Sequence, residues 1–232
     1  MLQPAELAAM IDHSIIDPNH TDADMRAGIE LAIARGTGRF TTQPFRVADA
    51  KQLLEGTGIK LQTYVGYPHG NDKPEVKQLQ AKLALEDGVD ELDMVINISA
   101  LLDGDIAYVE REVASIVELA AQYGVTVKAI IEVYFLNDEQ IVAAASAAER
   151  AGATFIKTST GTRPDRQDDV THAVRLLRSV LQPNTIIKAS GGVYSLDAVL
   201  AYYEAGARRF GASETAQILD DLAAWNAAFV AP

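Results

Sequence analysis

Two lysines sit in short apolar runs late in the chain: Lys157 after Phe155-Ile156, and Lys188 after Ile186-Ile187. Each run then breaks into small residues and glycine, Thr158-Ser159-Thr160-Gly161 in the first and Ala189-Ser190-Gly191-Gly192 in the second. Such runs read as buried strands ending in loops. A lysine is unusual there, because an unpaired ammonium is costly to bury. Neighbouring parallel strands lie about 4.8 Å apart, so the two side chains can share one pocket, where each lowers the pKa of the other. An amine with a lowered pKa is a nucleophile toward carbonyls, which is Schiff-base chemistry. Taken singly, Lys157 also reads as a strand-end lysine reaching solvent, and Lys188 as a ligand for phosphate or carboxylate.

Asp93 lies in a third apolar run, Glu91-Leu92-Asp93-Met94-Val95-Ile96. A carboxylate there needs a partner. Two readings stay open: a proton shuttle serving the lysines, or a buried salt bridge that only neutralises one of them. Asp12 and His13 are adjacent in the first strand-like run and must point to opposite faces. Asp12 is assigned to the pocket and His13 to the packing behind it. Further polar residues at strand ends are Ser14, Thr41, Thr42, the 66–71 loop, Lys128 and Glu132. Gly191-Gly192 and Gly211-Ala212-Ser213 close the last two strand runs, where backbone N–H groups and a helix N-terminus can hold an anion. The four histidines, His13, His20, His69 and His172, lack metal-ligand spacing, and no metal is expected.

The elements that must position these residues alternate regularly. Helical patterns cover 22–35, 46–55, 74–87, 105–123, 138–151, 168–181, 195–205 and 214–228. Strand-like runs cover 11–15, 38–42, 60–66, 91–96, 125–131, 154–158, 185–189 and 208–211. Thr21, Asn137 and Ser195 are placed to cap helix starts, and glycines such as Gly36 and Gly206 to end them. Eight strand–helix units in one chain predict an α/β fold: a single (β/α)8 TIM barrel over residues 1–232 with a short N-terminal helix. No Gly-x-Gly-x-x-Gly follows the first strand, which argues against a doubly wound dinucleotide fold.

Composition narrows the class. The 232 residues are 48% hydrophobic and 22% charged, as expected for a globular protein. A net charge of −12 without any basic cluster disfavours nucleic acid as a partner. The chain has no Cys, so disulfides and thiolate chemistry are excluded. Neither a signal peptide nor a membrane-length apolar run is visible, so a soluble, cytoplasmic protein is expected.

The chain resembles the deoxyribose-phosphate aldolase family over essentially its whole length. The resemblance rests on Ile11-Asp12-His13-Ser14, the 66–71 segment Gly-Tyr-Pro-His-Gly-Asn, and the 90–97 segment Asp-Glu-Leu-Asp-Met-Val-Ile-Asn. It is strongest in Phe155–Gly161, Lys188–Val193 and Arg209–Ser213. It implies a metal-independent class I lyase with no cofactor, cleaving 2-deoxy-D-ribose 5-phosphate reversibly to D-glyceraldehyde 3-phosphate and acetaldehyde. Lys157 would form the Schiff base, Lys188 would tune it, and Asp93 would assist proton transfer. Asp12, Ser14, Gly161, Gly191, Gly192, Gly211 and Ser213 would contact a small aldehyde or sugar substrate. A homodimer and a role in deoxyribonucleotide catabolism are implied as well.

Several positions depart from the family pattern. Tyr194 stands where an arginine commonly follows Gly-Gly-Val, and Glu214 where a second serine commonly follows Gly-Ala-Ser. Asp17 replaces a frequent lysine, Thr41-Thr42 a usual Cys-Val, and Val133-Tyr134 a common Thr-Cys. Tyr194 removes a cation and Glu214 adds an anion, so both are expected to weaken phosphate binding. Arg163 or Arg166 could restore positive charge there. The alternative function is therefore a same-family aldolase joining acetaldehyde-type donors to a non-phosphorylated acceptor. A second alternative is a non-catalytic barrel that binds a small molecule.

Overall fold

The computed structural model describes residues 2–162 and 170–230. Arg163 and Arg166 lie outside the described residues. Eight parallel strands close into a barrel in chain order. They are β1 (Ile11–Ile15), β2 (Arg39–Thr42), β3 (Lys60–Val65), β4 (Glu91–Val95), β5 (Thr126–Ile130), β6 (Phe155–Lys157), β7 (Ile186–Ala189) and β8 (Arg209–Ala212). Helices on the outer face are α1 (Pro4–Met10), α2 (Asp22–Arg35), α3 (Val47–Leu54), α4 (Pro74–Glu86), α5 (Ile98–Leu102), α6 (Ile106–Ala121), α7 (Asp138–Arg150), α8 (Thr171–Val180), α9 (Leu196–Ala205) and α10 (Thr215–Val230). All eight strands fall where the apolar runs place them. The five-residue α5 and the 3-10 turns at Pro44–Arg46 and Val133–Phe135 are additions, too short to show a 3.6 period.

Local chemistry sets the boundaries. Thr21, Asn137 and Ser195 accept from the backbone N–H of Asp24, Gln140 and Ala198, so each satisfies an otherwise orphaned donor. Gly36 and Gly206 end α2 and α9 with φ of 66° and 118°, a region that favours glycine. Strand residues such as Phe40, Leu92, Ile156 and Ile187 are buried between the sheet and the helix ring. No helix among the described residues is long and apolar enough to cross a membrane.

The barrel interior is unlike that apolar shell. Strand alternation and the register put Arg39, Glu91, Phe155 and Arg209 in a lower layer of even strands. Asp12, Gln62, Lys128 and Lys188 follow from the odd strands. Thr41, Asp93, Lys157 and Gly211 form the upper layer. Nine of these twelve positions are charged or amide side chains. His13, on the opposite face from Asp12, packs outward with Nδ1 2.9 Å from Thr215 Oγ1 at the start of α10. Burial pushes its pKa down to about 4.

A second buried ion pair supports the β4 end from outside. Lys77 of α4 donates to Glu112 of α6 at 2.8 Å and to the Val95 carbonyl at 2.9 Å. The other Glu112 oxygen accepts from the Asn97 N–H. Replacing Lys77 alone strands a buried carboxylate. Lys77→Met is expected to lower stability by about 3–5 kcal/mol, whereas Lys77→Met with Glu112→Leu recovers most of the loss. Guanidinium unfolding of the three proteins checks this.

Candidate active site

Lys157 ends β6 and lies in register with Lys188 of β7. Asp93 of β4 holds them together. Its Oδ2 accepts from Lys157 Nζ and from Lys188 Nζ, both at 2.8 Å, while Oδ1 accepts from Lys128 Nζ at 2.9 Å. One carboxylate thus meets three ammonium positions. Asp93 and Lys188 are 1% exposed and Lys128 is fully enclosed, against 6% for Lys157. That small difference matters, because of these four only Lys157 lines the cavity above.

The layer beneath extends the network. Lys188 Nζ is 2.6 Å from Asp12 Oδ2, and Arg209 Nη1 is 3.1 Å from Asp12 Oδ1. Lys128 Nζ pairs with Glu91 Oε2 at 2.6 Å and donates to Gln62 Oε1 at 2.5 Å. Arg39 Nε closes the far side on Glu91 Oε1 at 2.8 Å. Phe155 fills the remaining lower position, with Lys128 Nζ 5.5 Å and the Arg209 guanidinium 5.0 Å from its ring centroid, a cation–π arrangement. Each residue of Glu91-x-Asp93 points inward through the two-residue strand period, as does each of Phe155-x-Lys157.

The two lysines titrate differently. Burial lowers Lys157 to about 8; the Asp93 carboxylate opposes this and the Lys188 charge adds to it. Burial also disfavours the Lys188 ammonium, but Asp12 and Asp93 outweigh it and leave its pKa raised. The expectation of a lowered pKa therefore holds for Lys157 and is corrected for Lys188. Lys188 has two carboxylates and stays charged, while Lys157 has one, shared three ways. Burial raises the Asp93 pKa, yet Lys128, Lys157 and Lys188 together hold it well below the usual carboxylate range. Asp12 is likewise held at about 2: burial acts against ionisation, and Lys188, Lys128 and Arg209 overcome it.

The cavity over Lys157 has a volume of about 810 Å³. Of the residues assigned to the substrate from sequence, Ser14, Gly161, Gly191, Gly192, Tyr194, Gly211 and Ser213 line it. Asp12 does not: it is sealed below, paired with Lys188 and Arg209. Glu214 does not either: it precedes α10 as an exposed residue and is absent from the cavity wall. Lys128, Thr41 and Thr42 are also enclosed rather than facing the cavity. A Cβ on Gly211 would lie 2.4 Å from Ser190 Oγ and 3.4 Å from Lys188 Cε, so the backbone approaches the floor closely. Tyr67 and Pro68 bring the 66–71 loop to the cavity as expected, whereas Tyr64, His20, Gln43 and Phe45 line it without having been assigned to it. Tyrosine at a strand end resembles ordinary packing, so only the closed topology reveals its position.

The loop after β6 is pinned at Thr160. Glu132 Oε2 accepts from Thr160 N at 3.0 Å and from Thr160 Oγ1 at 2.5 Å, and Tyr67 Oη donates to the Thr160 carbonyl at 2.8 Å. Glu132 adopts φ of 50°, a strained conformation for a side-chain-bearing residue. It borders a smaller cavity of about 310 Å³ that shares Pro68, Thr160 and Thr162 with the larger one.

An amine titrating near neutrality, at the floor of a cavity and hydrogen-bonded to a carboxylate, can add to a carbonyl carbon. Comparison with known proteins agrees in kind. Residues 7–214 match the DeoC/LacD family aldolase family. The deoxyribose-phosphate aldolase of Aciduliprofundum boonei is 40% identical over 94% of this chain and 97% of its own. That of Thermococcus gammatolerans is 41% identical over 93% and 96%. The tetrameric deoxyribose phosphate aldolase structure from Aeropyrum pernix superposes with a TM-score of 0.89 at 32% identity, covering 96% of this chain and 93% of that one.

The charge assignments set a pH dependence. Lys157 gains its free amine as pH rises, so trapping of an aldehyde by borohydride should climb through about pH 8 and level off above it. Lys188→Met removes a like charge and should move that rise to higher pH. Asp93→Asn removes the stabilising anion and should move it lower. Adduct yield against pH, measured by mass spectrometry, checks both directions.

Proposed function

Because this chain belongs to the DeoC/LacD aldolase family, we propose that it is a class I aldolase that cleaves 2-deoxy-D-ribose 5-phosphate reversibly to D-glyceraldehyde 3-phosphate and acetaldehyde. The observation that carries this reading is Lys157, the one member of the Asp93 cluster that opens to the cavity, with its pKa lowered to about 8. The neutral Nζ adds to the open-chain sugar carbonyl, and loss of water leaves an iminium. The bond between C2 and C3 then breaks as the C3 hydroxyl gives up its proton. Its electron pair flows into the iminium and leaves an enamine, while the acceptor aldehyde departs. Protonation of the enamine carbon and hydrolysis release acetaldehyde and restore the amine.

The neighbours suit these steps. Lys188 keeps its proton and reaches Asp93 Oδ2, the oxygen that also holds Lys157 Nζ. It is the proton donor for water loss: Asp93 passes the Lys188 proton to the carbinolamine hydroxyl, which leaves as water, and Lys188 regains a proton when the iminium is hydrolysed. Asp93 is an anion at rest and carries a proton only in transit. Asp12 acts as a positioning residue through Lys188 rather than as a substrate contact. The tetramer described for the Aeropyrum pernix relative supports self-association of this chain too.

One observation favours the non-phosphorylated acceptor. Among the described residues lining the cavity, Lys157 is the sole lysine or arginine, and Asp17 adds a carboxylate at the rim. Tyr194 lines the wall where the family commonly has arginine. Among the described residues, a phosphate would find backbone N–H groups near Gly191 and Gly192 but no arginine or lysine besides Lys157.

Acetaldehyde with borohydride should add an ethyl group to Lys157, and Lys157→Ala should lose both the adduct and at least about a thousandfold in activity. A wild-type adduct elsewhere refutes the mechanism. Comparing 2-deoxyribose with its 5-phosphate separates the two acceptor readings, a large preference for the phosphate favouring the family reaction. Tyr194→Arg should raise that preference by roughly tenfold, the worth of one charge-assisted hydrogen bond. Glu214→Ser should add little, since Glu214 lies off the cavity wall.

A further inference from the structure

The outer part of the cavity is built from rings. Phe45, Tyr64, Tyr67 and Tyr194 line it together with Pro44 and Val193. Tyr64 and Tyr67 stack with centroids 4.2 Å apart, forming one continuous wall. Phe45 is 75% exposed and Tyr194 45% exposed, high values for rings that border a cavity. The Arg46 guanidinium lies 4.6 Å from the Phe45 centroid and covers one face.

The polar groups of the same rim are mostly engaged with one another. His20 Nδ1 accepts from Asp17 N at 3.0 Å, Gln43 Nε2 donates to the Asp17 carbonyl at 2.6 Å, and Gln43 Oε1 accepts from Arg46 Nε at 3.1 Å. Beside these engaged groups the rim presents the ring faces of Phe45 and Tyr194. A volume of about 810 Å³ also exceeds what two- and three-carbon aldehydes fill, and falls in the range of sites that enclose drug-sized ligands.

We propose that the site also takes, as a second acceptor class, aldehydes carrying an uncharged aromatic or extended apolar tail, which packs against Phe45 and Tyr194. The proposal rests on the aldolase reading and extends it to the acceptor. The Lys157 enamine carbon forms a bond to the acceptor carbonyl carbon. The carbonyl oxygen takes up the proton that the donor methyl group lost, and becomes a hydroxyl. Water then hydrolyses the iminium, releasing the 3-hydroxyaldehyde and the free lysine. The tail remains among the rings throughout, so its burial contributes to binding at every step.

The test uses acetaldehyde as donor and compares propanal, 3-phenylpropanal and D-glyceraldehyde 3-phosphate as acceptors. Burying about 60 Å² of ring face corresponds to roughly a tenfold gain in kcat/KM for 3-phenylpropanal over propanal. In Phe45→Ala and Tyr194→Ala that ratio should fall toward one, and Phe45→Leu should retain part of it. A wild-type ratio near one, or a ratio unchanged in both alanine variants, overturns the proposal. Borohydride trapping on Lys157 in the same preparations separates the two levels. An adduct without a ring preference sinks the acceptor assignment alone, and no adduct sinks the aldolase reading with it.

Discussion

The structure turns on one carboxylate surrounded by three amines. Asp93 is enclosed, and its two oxygens are divided among Lys128, Lys157 and Lys188. Around it the barrel interior gathers five cationic positions, Arg39, Lys128, Lys157, Lys188 and Arg209, against three carboxylates, Asp12, Glu91 and Asp93. An enclosed cluster with more cations than anions favours release of a proton. Among the three lysines, Lys157 has the fewest anionic neighbours, and it alone lines the cavity. The lowered pKa of Lys157 thus follows first from its burial, which Asp93 opposes and the Lys188 charge reinforces.

That balance explains what the sequence showed and what it hid. Lys157, Lys188 and Asp93 are visible because each interrupts an apolar run. Glu91 and Arg209 sit at the margins of their runs and look like ordinary strand-edge charges. Gln62 lies within Leu61-Gln62-Thr63-Tyr64, where alternation is the usual solvent-facing pattern. Only barrel closure turns that face inward. The opposite signs of the Lys157 and Lys188 shifts were out of reach for the same reason: they depend on Asp12 pairing across the ring with β7, a contact between the two ends of the chain.

The secondary structure was far more legible than the substrate side of the site. Strand positions follow from β-branched runs, and helix limits from Thr21, Asn137, Ser195 and their glycines, all local signals. The cavity wall is assembled from loops whose side-chain directions are not periodic. Hence Tyr194 reaches the cavity while Glu214, an equally conspicuous departure, remains outside it. Thr160 depends on a strained Glu132 and a distant Tyr67, a convergence of three loops without a local mark in the sequence.

Gly211 gives the upper layer of the barrel an unusual count. That layer has four places, and three of them hold Thr41, Asp93 and Lys157; the fourth has no side chain at all. In a barrel packed throughout with branched residues this place would be filled, and the cavity would lose the room that Gly211 leaves beside Lys157. The floor of the site is therefore an omission in an otherwise complete packing scheme. The room above Lys157 is a matter of volume left out as much as of groups put in.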